Sequence, residues 1–245
     1  MSPSSAAPRV QIAGIEQIRR ALRERSDVRV LLIPTEDTSA EIMALEAEAR
    51  SCGVRIWRGG PGDMRRMGRG PDADRAVALI GHSPSATLDE LLSRGGMCWL
   101  LHRASYPSNV GFAIRTAEVS GADGVIVDAV FNHEQRGRIS HVSMGAADLL
   151  PVVYTTTEEA LALAAQRGVH SIAIEDSGTS LPWEVDLRAP SVCIIGNEQT
   201  GIDAELIARC DFSVRIPMAG FVPSYNVQAA MTAIAVERLR QLGFS

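Results

Sequence analysis

The sequence predicts an α/β protein whose C-terminal part is a mostly parallel sheet with helices on both faces. Short apolar runs alternate with helical segments from Met97 onward, which is typical of repeated strand–helix units. Loops rich in glycine and proline follow two of the last strands, at the position where α/β sheets bind ligands. Of the 245 residues, 46% are hydrophobic, which is enough for a sizeable core and argues against disorder.

The N-terminal part is predicted to be a separate, smaller α/β unit over residues 11–82. Residues 1–10 precede it as a disordered tail rich in Ser, Pro and Ala. Within the unit, Ile18 lies on the apolar face of a first helix, and Ser39 is placed to cap a second one. Apolar runs predict three strands in this unit, at 28–34, 54–59 and 75–81.

The segment 83–96 is interpreted as a linker because it begins with Ser and Pro residues and carries only one or two helical turns. The second domain, 97–245, then alternates strands and helices. Its strands are predicted in the runs MCWLLH, GVIVD, PVVYT, HSIAIED, SVCIIG and FSVRIPM. Its helices are predicted from Asn109, over SHVSMGAADLL, TEEALALAAQRG and DAELIARC, and from Asn226 to Leu242.

Composition and missing motifs exclude several classes of protein. No apolar run approaches the roughly 18 residues of a membrane span, and the N-terminus lacks the pattern of a signal peptide. The four cysteines are far apart, which indicates thiols in a reducing cytoplasm and neither disulfides nor a zinc site. The five histidines, among them His82, show no metal-binding spacing, so no metal is expected. The chain has neither a P-loop nor a nucleophile elbow.

One glycine-rich turn, RGGPGDMRR, follows a predicted strand with G-x-G spacing. The dinucleotide fingerprint needs a third glycine where Arg65 stands, and the carboxylate of Asp63 would repel a pyrophosphate. The turn is therefore not expected to bind a dinucleotide.

Two loops in the last third of the chain carry the strongest signal for a ligand site. They read CIIGNEQTGI and RIPMAGFVPSYNVQAAM, and glycine and proline shape the backbone in both. In the first loop Gly196 allows a ligand to approach the backbone, and Glu198 offers a carboxylate. Both loops are also compatible with plain turns between a strand and a helix.

A third segment, YPSNVGFAIRTAEVSG, contains polar residues on an otherwise apolar helix. Asn109 is placed to cap this helix, and Arg115 follows six residues later among apolar neighbours. The alternative for Arg115 is a surface arginine that forms an ordinary ion pair.

These three segments resemble the motifs of the SPOUT methyltransferases of the SpoU/TrmH branch, and they follow the motif order of that branch over about 120 residues, with YPSNVGFAIRTAEVSG first, CIIGNEQTGI second and RIPMAGFVPSYNVQAAM third. The resemblance implies a trefoil knot in the C-terminal domain and S-adenosylmethionine as the cofactor. It also implies transfer of a methyl group to a ribose 2′-hydroxyl in RNA. The N-terminal unit resembles the small ribosomal-protein-like RNA-binding domain that precedes many SpoU catalytic domains.

The resemblance also assigns roles to residues. It implies catalytic roles for Asn109, Arg115, Glu198, Ser224 and Asn226. It implies cofactor binding by Gly196, Asn197, Ile216, Met218, Tyr225 and Asn226. Arg115 is either the base or a group that binds the phosphate and stabilises the developing alkoxide, since free arginine holds its proton tightly. Three positions depart from the family pattern: Tyr106 replaces an acidic residue, Tyr225 replaces a leucine and Met144 replaces a small residue.

The charge pattern places RNA attraction in the N-terminal unit. The whole chain has a net charge of −5, and all its Lys and Arg positions are arginine. Between Arg50 and Arg75, however, seven arginines and three acidic residues give a local charge of +4. Trp57 either stacks on a base or belongs to the core. The candidate RNA-binding residues are Arg55, Arg58, Arg65, Arg66 and Arg69.

The sequence is therefore interpreted as a cytoplasmic RNA ribose 2′-O-methyltransferase with ribosomal RNA as the favoured target. A transfer RNA target, a resistance enzyme that protects the ribosome of its host, and a catalytically silent RNA-binding or assembly protein are the alternatives. SpoU-like domains dimerise through the last helix, so a two-fold homodimer is expected. The proposed contact stripe consists of Val227, Ala230, Met231, Ile234 and Ala235.

Overall fold

The computed structural model describes residues 10–24, 27–81, 83–222 and 224–244. The chain divides into two compact units, one that ends at Ser83 and one that begins at Pro84. Apart from Val10, the predicted disordered tail lies outside the described residues, as does His82.

The N-terminal unit is a four-stranded mixed sheet with the strand order β1-β4-β2-β3. Strand β4 pairs antiparallel with β1 and β2, whereas β2 and β3 are parallel. Its elements are β1 (Val10–Ala13), α1 (Ile15–Arg23), β2 (Val28–Pro34), α2 (Ala40–Ser51), β3 (Arg55–Gly59), α3 (Pro61–Met67) and β4 (Val77–Ile80).

Local chemistry fixes the ends of these helices. The Ser39 hydroxyl accepts a hydrogen bond from the Ile42 amide at 3.4 Å, as the sequence predicts for the cap of α2. Helix α3 begins at Pro61, and the Asp63 carboxylate accepts from the Gly60 amide at 3.0 Å. The RGGPGDMRR turn is thus the start of a helix. Strand β1 was not predicted, because four residues are too few to show a period of two.

The C-terminal unit is a six-stranded sheet in which every pair is parallel, with the order β10-β8-β9-β5-β6-β7. Its first half consists of α4 (Leu88–Leu92), β5 (Met97–Leu101), α5 (Pro107–Val119), β6 (Gly124–Val127), α6 (His133–Val142) and β7 (Val152–Tyr154). The second half consists of α7 (Thr157–Arg167), β8 (His170–Ile174), β9 (Ser191–Ile195), α8 (Ala204–Arg209), β10 (Phe212–Val214) and α9 (Val227–Gln241). Short 3₁₀ turns lie at Ala146–Asp148 and Pro182–Glu184.

Helices cover both faces of this sheet, as predicted. Alternate residues of β5 enter opposite cores, so Trp99 packs with residues of α5, α6 and α9, and Leu100 packs with residues of α4, α7 and α8. The predicted linker contains α4, which contributes Leu91 and Leu92 to the second of these cores. Among the described residues, no helix is long and apolar enough to cross a membrane.

Two helix boundaries differ from the predictions. Helix α5 begins at Pro107 with Tyr106 as its N-cap, so Asn109 lies in the first turn and does not cap it. Proline is favoured at the first helical position, which explains the earlier start. Helix α6 begins at His133, where the capping box of Asn132 and Gln135 fixes its start.

The predicted SHVSMGAADLL helix does not form as one element. Helix α6 ends at Val142, and Met144 and Gly145 then both have positive φ, +52° and +85°. Two successive residues in the left-handed region cannot continue a right-handed helix, so the chain turns at this point.

Helices α5 and α6 pack closely at Gly111. A Cβ added at Gly111 would lie 2.8 Å from the Val142 Cβ and 2.9 Å from the Ile139 carbonyl oxygen. Only glycine fits this crossing without a shift of one helix, so Gly111 sets the distance between the two helices.

We expect Gly111→Ala to destabilise the protein by about 1–2 kcal/mol. Overpacking costs roughly 1–3 kcal/mol, and the better helix propensity of alanine offsets about 1 kcal/mol of that. The matched control is Gly137→Ala in α6, where an added Cβ meets nothing within 4 Å. This control should be more stable than the wild type by about 0.5–1 kcal/mol. Urea unfolding followed by circular dichroism measures both, and equal stabilisation by both changes would contradict the close packing.

Candidate active site

A cavity of about 310 Å³ opens at the carboxyl ends of β8 and β9 and beside the loop after β10. This is the edge at which parallel sheets bind ligands. Apolar side chains and carboxylates line it together, and none of its described lining residues is an arginine. The lining comprises Ile174, Glu175, Asp176, Ile195, Gly196, Asn197, Glu198, Gln199, Thr200, Gly201, Ile216, Met218, Ser224, Tyr225, Val227 and Ala230.

The loop after β9 forms one wall and turns back on itself. The Gly201 amide donates to the Asn197 carbonyl at 2.9 Å, and the Asn197 amide donates to the Gly201 carbonyl at 3.2 Å. A Cβ at Gly196 would lie 2.4 Å from the Gly201 carbonyl carbon, so the two backbone strands approach as closely as glycine permits. The Glu175 carboxylate accepts from the Ile202 amide at 2.8 Å and holds the end of the loop.

The side chain of Asn197 joins this loop to the loop after β5. Its amide nitrogen donates to the Arg103 carbonyl at 2.6 Å and to the Ser105 hydroxyl at 2.8 Å. Its oxygen accepts from the amides of Gln199 and Thr200 at 2.9 and 3.2 Å. Asn197 was predicted to bind the cofactor. It lines the cavity, but its side-chain hydrogen bonds hold the two loops together.

Two of the predicted catalytic residues are in direct contact. The Asn109 amide nitrogen donates to Glu198 Oε1 at 2.9 Å, and the Ser105 backbone amide donates to Glu198 Oε2 at 3.2 Å. The position of Asn109 in the first turn of α5, and not at its cap, lets the side chain reach this carboxylate. Both carboxylate oxygens are therefore held, one by α5 and one by the loop that precedes it.

The loop after β10 forms the opposite wall. Ile216, Met218, Ser224 and Tyr225 line the cavity, and the Tyr225 hydroxyl donates to the Pro217 carbonyl at 3.1 Å. Asn226 is not among the described lining residues. Its side-chain oxygen accepts from the Gln228 amide at 3.0 Å and caps α9, and its catalytic and cofactor-binding roles stay predictions.

Arg115 lies apart from the other predicted catalytic residues. Its side chain is exposed on α5, and its Nη1 donates to the sulfur of Met144 at 2.9 Å. It does not line the cavity of its own chain.

The predicted RNA-binding arginines of the N-terminal unit differ in their availability. Arg58 is half-buried and contacts Glu46 and the Pro34 carbonyl, and Arg66 pairs with Asp63 at 2.6 Å. The side chains of Arg55, Arg65 and Arg69 are exposed. Trp57 packs against the small core that contains Leu32 and Met64, which favours its interpretation as a core residue.

A buried polar cluster supports the loop that carries Ser105. His102 Nδ1 lies 2.7 Å from the Thr157 hydroxyl, which donates to Asp128 at 2.6 Å. Burial lowers the pKa of His102, and the nearby charge of Arg103 lowers it further. His102 is therefore a neutral structural residue at physiological pH.

The sequence-based predictions missed several residues at the cavity. Glu175, Asp176, Gln199 and Thr200 line it, and Ser105 holds Glu198. Glu175 and Asp176 could have been predicted from the sequence, because they directly follow β8 at the carboxyl edge of a parallel sheet.

The lining fits the chemistry of S-adenosylmethionine. The carboxylates of Glu175, Asp176 and Glu198 suit a cofactor that carries an ammonium group, ribose hydroxyls and a positive sulfonium. Apolar walls such as Ile195 and Ile216 suit a planar base, and the tight Gly196 turn presents backbone groups to it. Among the described residues, no three His, Cys, Asp or Glu side chains are grouped so as to hold a metal ion.

Comparison with known proteins identifies the family. The model of the SpoU rRNA Methylase family matches residues 97–236, which is more than half of the chain. The chain belongs to the SpoU rRNA methylase family. This confirms the family predicted from the three motifs, and it assigns the six-stranded unit as the SpoU domain.

Individual relatives and structures agree with this assignment. The chain is 29% identical over 241 residues to the 23S rRNA (guanosine-2′-O-)-methyltransferase RlmB of Pseudomonas syringae pv. tomato, covering 94% of this chain and 95% of that protein. It is 27% identical to a 23S rRNA (uridine(2479)-2′-O)-methyltransferase of Streptomyces viridochromogenes, covering 94% and 82%. The solved SpoU methyltransferase AviRb of S. viridochromogenes, in complex with AdoMet, superposes with a TM-score of 0.60 at 26% identity, covering 96% of this chain and 91% of AviRb. The predicted α/β fold with a parallel sheet between helices is confirmed.

We expect Gly196→Ala to weaken S-adenosylmethionine binding by at least about tenfold, or roughly 1.4 kcal/mol. The added Cβ meets backbone atoms of Gly201 and Ile202, which cannot move away as a flexible side chain would. The control is Gly220→Ala, where a Cβ meets nothing within 4 Å. Titration calorimetry measures both affinities, and thermal unfolding checks that both variants fold. Unchanged affinity in a folded Gly196→Ala protein would show that the loop after β9 is not part of the cofactor site.

Proposed function

We propose that this chain transfers the methyl group of S-adenosylmethionine to a ribose 2′-hydroxyl of ribosomal RNA. The observation that carries the proposal is the contact between Asn109 and Glu198 at the mouth of a carboxylate-lined cavity in a SpoU domain. The two relatives described above are both named as 23S rRNA 2′-O-methyltransferases, one for a guanosine and one for a uridine. Ribosomal RNA is therefore the favoured target, and transfer RNA is the alternative. Cytoplasmic localisation follows from this substrate.

The residues of the chain have three tasks in this reaction. S-adenosylmethionine, when bound, supplies an electrophilic methyl group, so no metal is needed for activation. The backbone of the β9 loop and the residues Ile216, Met218 and Tyr225, which line the cavity, would hold the cofactor. Glu198, fixed by Asn109, offers its carboxylate at the cavity, and Ser224 lines the same cavity. These groups would place the ribose oxygen in line with the methyl group.

Arg115 stabilises the charge of the RNA in this scheme. A guanidinium keeps its proton in proteins, so Arg115 is poorly suited to act as a base. It is better suited to bind the adjacent phosphate and to stabilise the developing alkoxide. Since Arg115 does not line the cavity of its own chain, a second copy of the chain completes the site. This follows the arrangement that the SpoU resemblance implies, with both subunits contributing. The knotted path of the C-terminal chain is part of the same proposal.

The dimer contact must use a different face of α9 from the one predicted. Met231, Ile234 and Ala235 are buried in the core of their own chain, so they are not available to a partner. The exposed face of the helix carries Ala229, Ala233 and Val236. Small residues at this spacing allow a second helix to approach closely.

Arg115→Ala should lower the rate of rRNA methylation by at least ~10²-fold with little change in cofactor affinity. The assay measures transfer of labelled methyl groups to protein-free 23S rRNA, followed by mass spectrometry to locate the modified ribose. Arg115→Lys should restore only part of the rate, because lysine lacks the planar guanidinium with its fixed set of N–H donors. The control is Arg188→Ala, since Arg188 is an exposed arginine that pairs with Asp186. If the wild-type protein methylates none of the RNAs tested, the catalytically silent alternative is favoured. If it does methylate RNA, the position of the modified ribose distinguishes a housekeeping modification from antibiotic resistance.

Val236→Arg should convert the proposed dimer to a monomer of 26.3 kDa. A long charged side chain on the exposed α9 face cannot be buried against the same face of a partner without an ion pair. Light scattering at micromolar concentration measures the mass, with Val130→Arg, a change at an exposed residue outside α9, as the control. A monomeric wild type would contradict the dimer.

Reversal of Arg65 and Arg66 to Glu should weaken 23S rRNA binding and lower the slope of log K against log salt by about two. Cofactor affinity should not change, because these residues lie in the other unit. The control reverses Arg20 and Arg23 on α1 of the same unit, which changes the net charge equally. If both pairs weaken binding to the same extent, the effect comes from net charge and not from a specific surface around α3.

A further inference from the structure

Arg115 contacts a thioether, whereas four other surface arginines in its unit pair with carboxylates and two, Arg136 and Arg215, donate to carbonyl oxygens. Arg167, Arg188, Arg209 and Arg240 all pair with carboxylates, which partly neutralise them. Arg115 instead donates to the neutral thioether of Met144. Within the described part of the chain it has no carboxylate partner.

The packing of α5 on α6 produces this contact. Gly111 and Arg115 are four residues apart and lie on the same face of α5. A Cβ at Gly111 would meet Ile139 and Val142 of α6, and Arg115, one turn further on, contacts Met144 just after the C-terminal end of α6. The negative end of a helix dipole favours a cation at that place.

The backbone of Met144 directs its side chain to the guanidinium. Met144 has a φ of +52°, a conformation that is uncommon for a residue with a Cβ, and Gly145 follows with +85°. Hydrogen bonds from the Met144 amide to the His141 carbonyl (3.2 Å) and from the Ala146 amide to the Ser143 carbonyl (3.1 Å) fix this turn. The side chain is 39% exposed, so burial in a core does not explain its position.

We propose that Met144 is a positioning residue that orients the Arg115 guanidinium while leaving its full charge for the RNA. A thioether sulfur is a weak acceptor, so it restricts the guanidinium without the neutralisation that a carboxylate would cause. The inference rests on the proposed function, and it concerns the positioning of Arg115 and not the identity of the RNA.

Two substitutions of Met144 separate orientation from charge. Met144→Leu keeps the volume and removes the acceptor, and kcat should fall about tenfold with an unchanged affinity for S-adenosylmethionine. Met144→Glu should pair with Arg115 and reduce kcat nearly as far as Arg115→Ala does. In the Arg115→Ala background, Met144→Leu should have no further effect, because the group that it positions is gone.

The matched control is Met43→Leu. Met43 is also exposed, and its sulfur lies 3.7 Å from Arg58 Nη2, but Arg58 is already held by Glu46. This substitution should leave kcat unchanged. Thermal unfolding should show that all the variants fold.

A second readout does not depend on catalysis. Filter binding of protein-free 23S rRNA without cofactor, over a range of salt, should show a slope lower by about one for Met144→Glu, as for Arg115→Ala. In protein labelled with ¹³C at the methionine methyl groups, Arg115→Ala should shift the Met144 resonance and leave that of Met43 in place.

The outcomes distinguish this inference from the proposed function. If Arg115→Ala abolishes methylation but Met144→Leu and Met144→Glu retain the wild-type rate, Met144 does not position Arg115 and the inference is wrong. If Arg115→Ala itself retains the rate, the role of Arg115 in the proposed function fails. If no RNA is methylated, the salt dependence and the methyl resonance still decide whether Met144 controls Arg115. Unchanged values of both would overturn the inference.

Discussion

The contact between Gly196 and Gly201 is the constraint on which the site depends. The β9 loop can turn back on itself only because an added Cβ, which would lie 2.4 Å from a backbone carbon, is absent. This turn places three successive residues, Asn197, Glu198 and Gln199, on a rigid frame at the carboxyl edge of the sheet. Without it the cavity would lose one of its walls.

Two neighbouring residues in that loop have different tasks. Asn197 directs its side chain to the loop after β5 and binds it at Arg103 and Ser105. Glu198 accepts from the first turn of α5 at Asn109 and from the backbone of Ser105. The loops after β5 and β9 are therefore fixed to each other before any ligand binds. Such preorganisation lowers the entropy that binding must overcome.

Much of the fold could be predicted from local signals, whereas the placement of side chains could not. The apolar run of β5 and the Ser39 cap of α2 are local features, and both were read correctly. The family motifs also identified Asn109 and Glu198 as site residues. These two residues are 89 positions apart, so only the fold brings them together. The predicted cap at Asn109 was wrong because Pro107 begins the helix earlier.

The other differences have a tertiary origin. The pattern of α9 contains apolar residues on more than one face, so the sequence could not tell which of them the sheet would bury. The structure buries Met231 and leaves Val236 exposed, the reverse of what a dimer through Met231 requires. The separation of Arg115 from the cavity likewise depends on how α5 packs on α6. This packing depends on residues that are far apart in the sequence, so no local segment predicts it.

The strand order also has a consequence for synthesis on the ribosome. Strand β5 lies between β6 and β9, and its five residues are all buried. About 90 residues of chain separate β5 from β9, so at 5–20 residues per second one edge of β5 has no partner for roughly 5–18 s during translation. A nascent chain that ends before Ser191 would expose an apolar strand edge, which is a known route to aggregation. We therefore expect nascent chains of this protein to depend on chaperones until β9 has been synthesised.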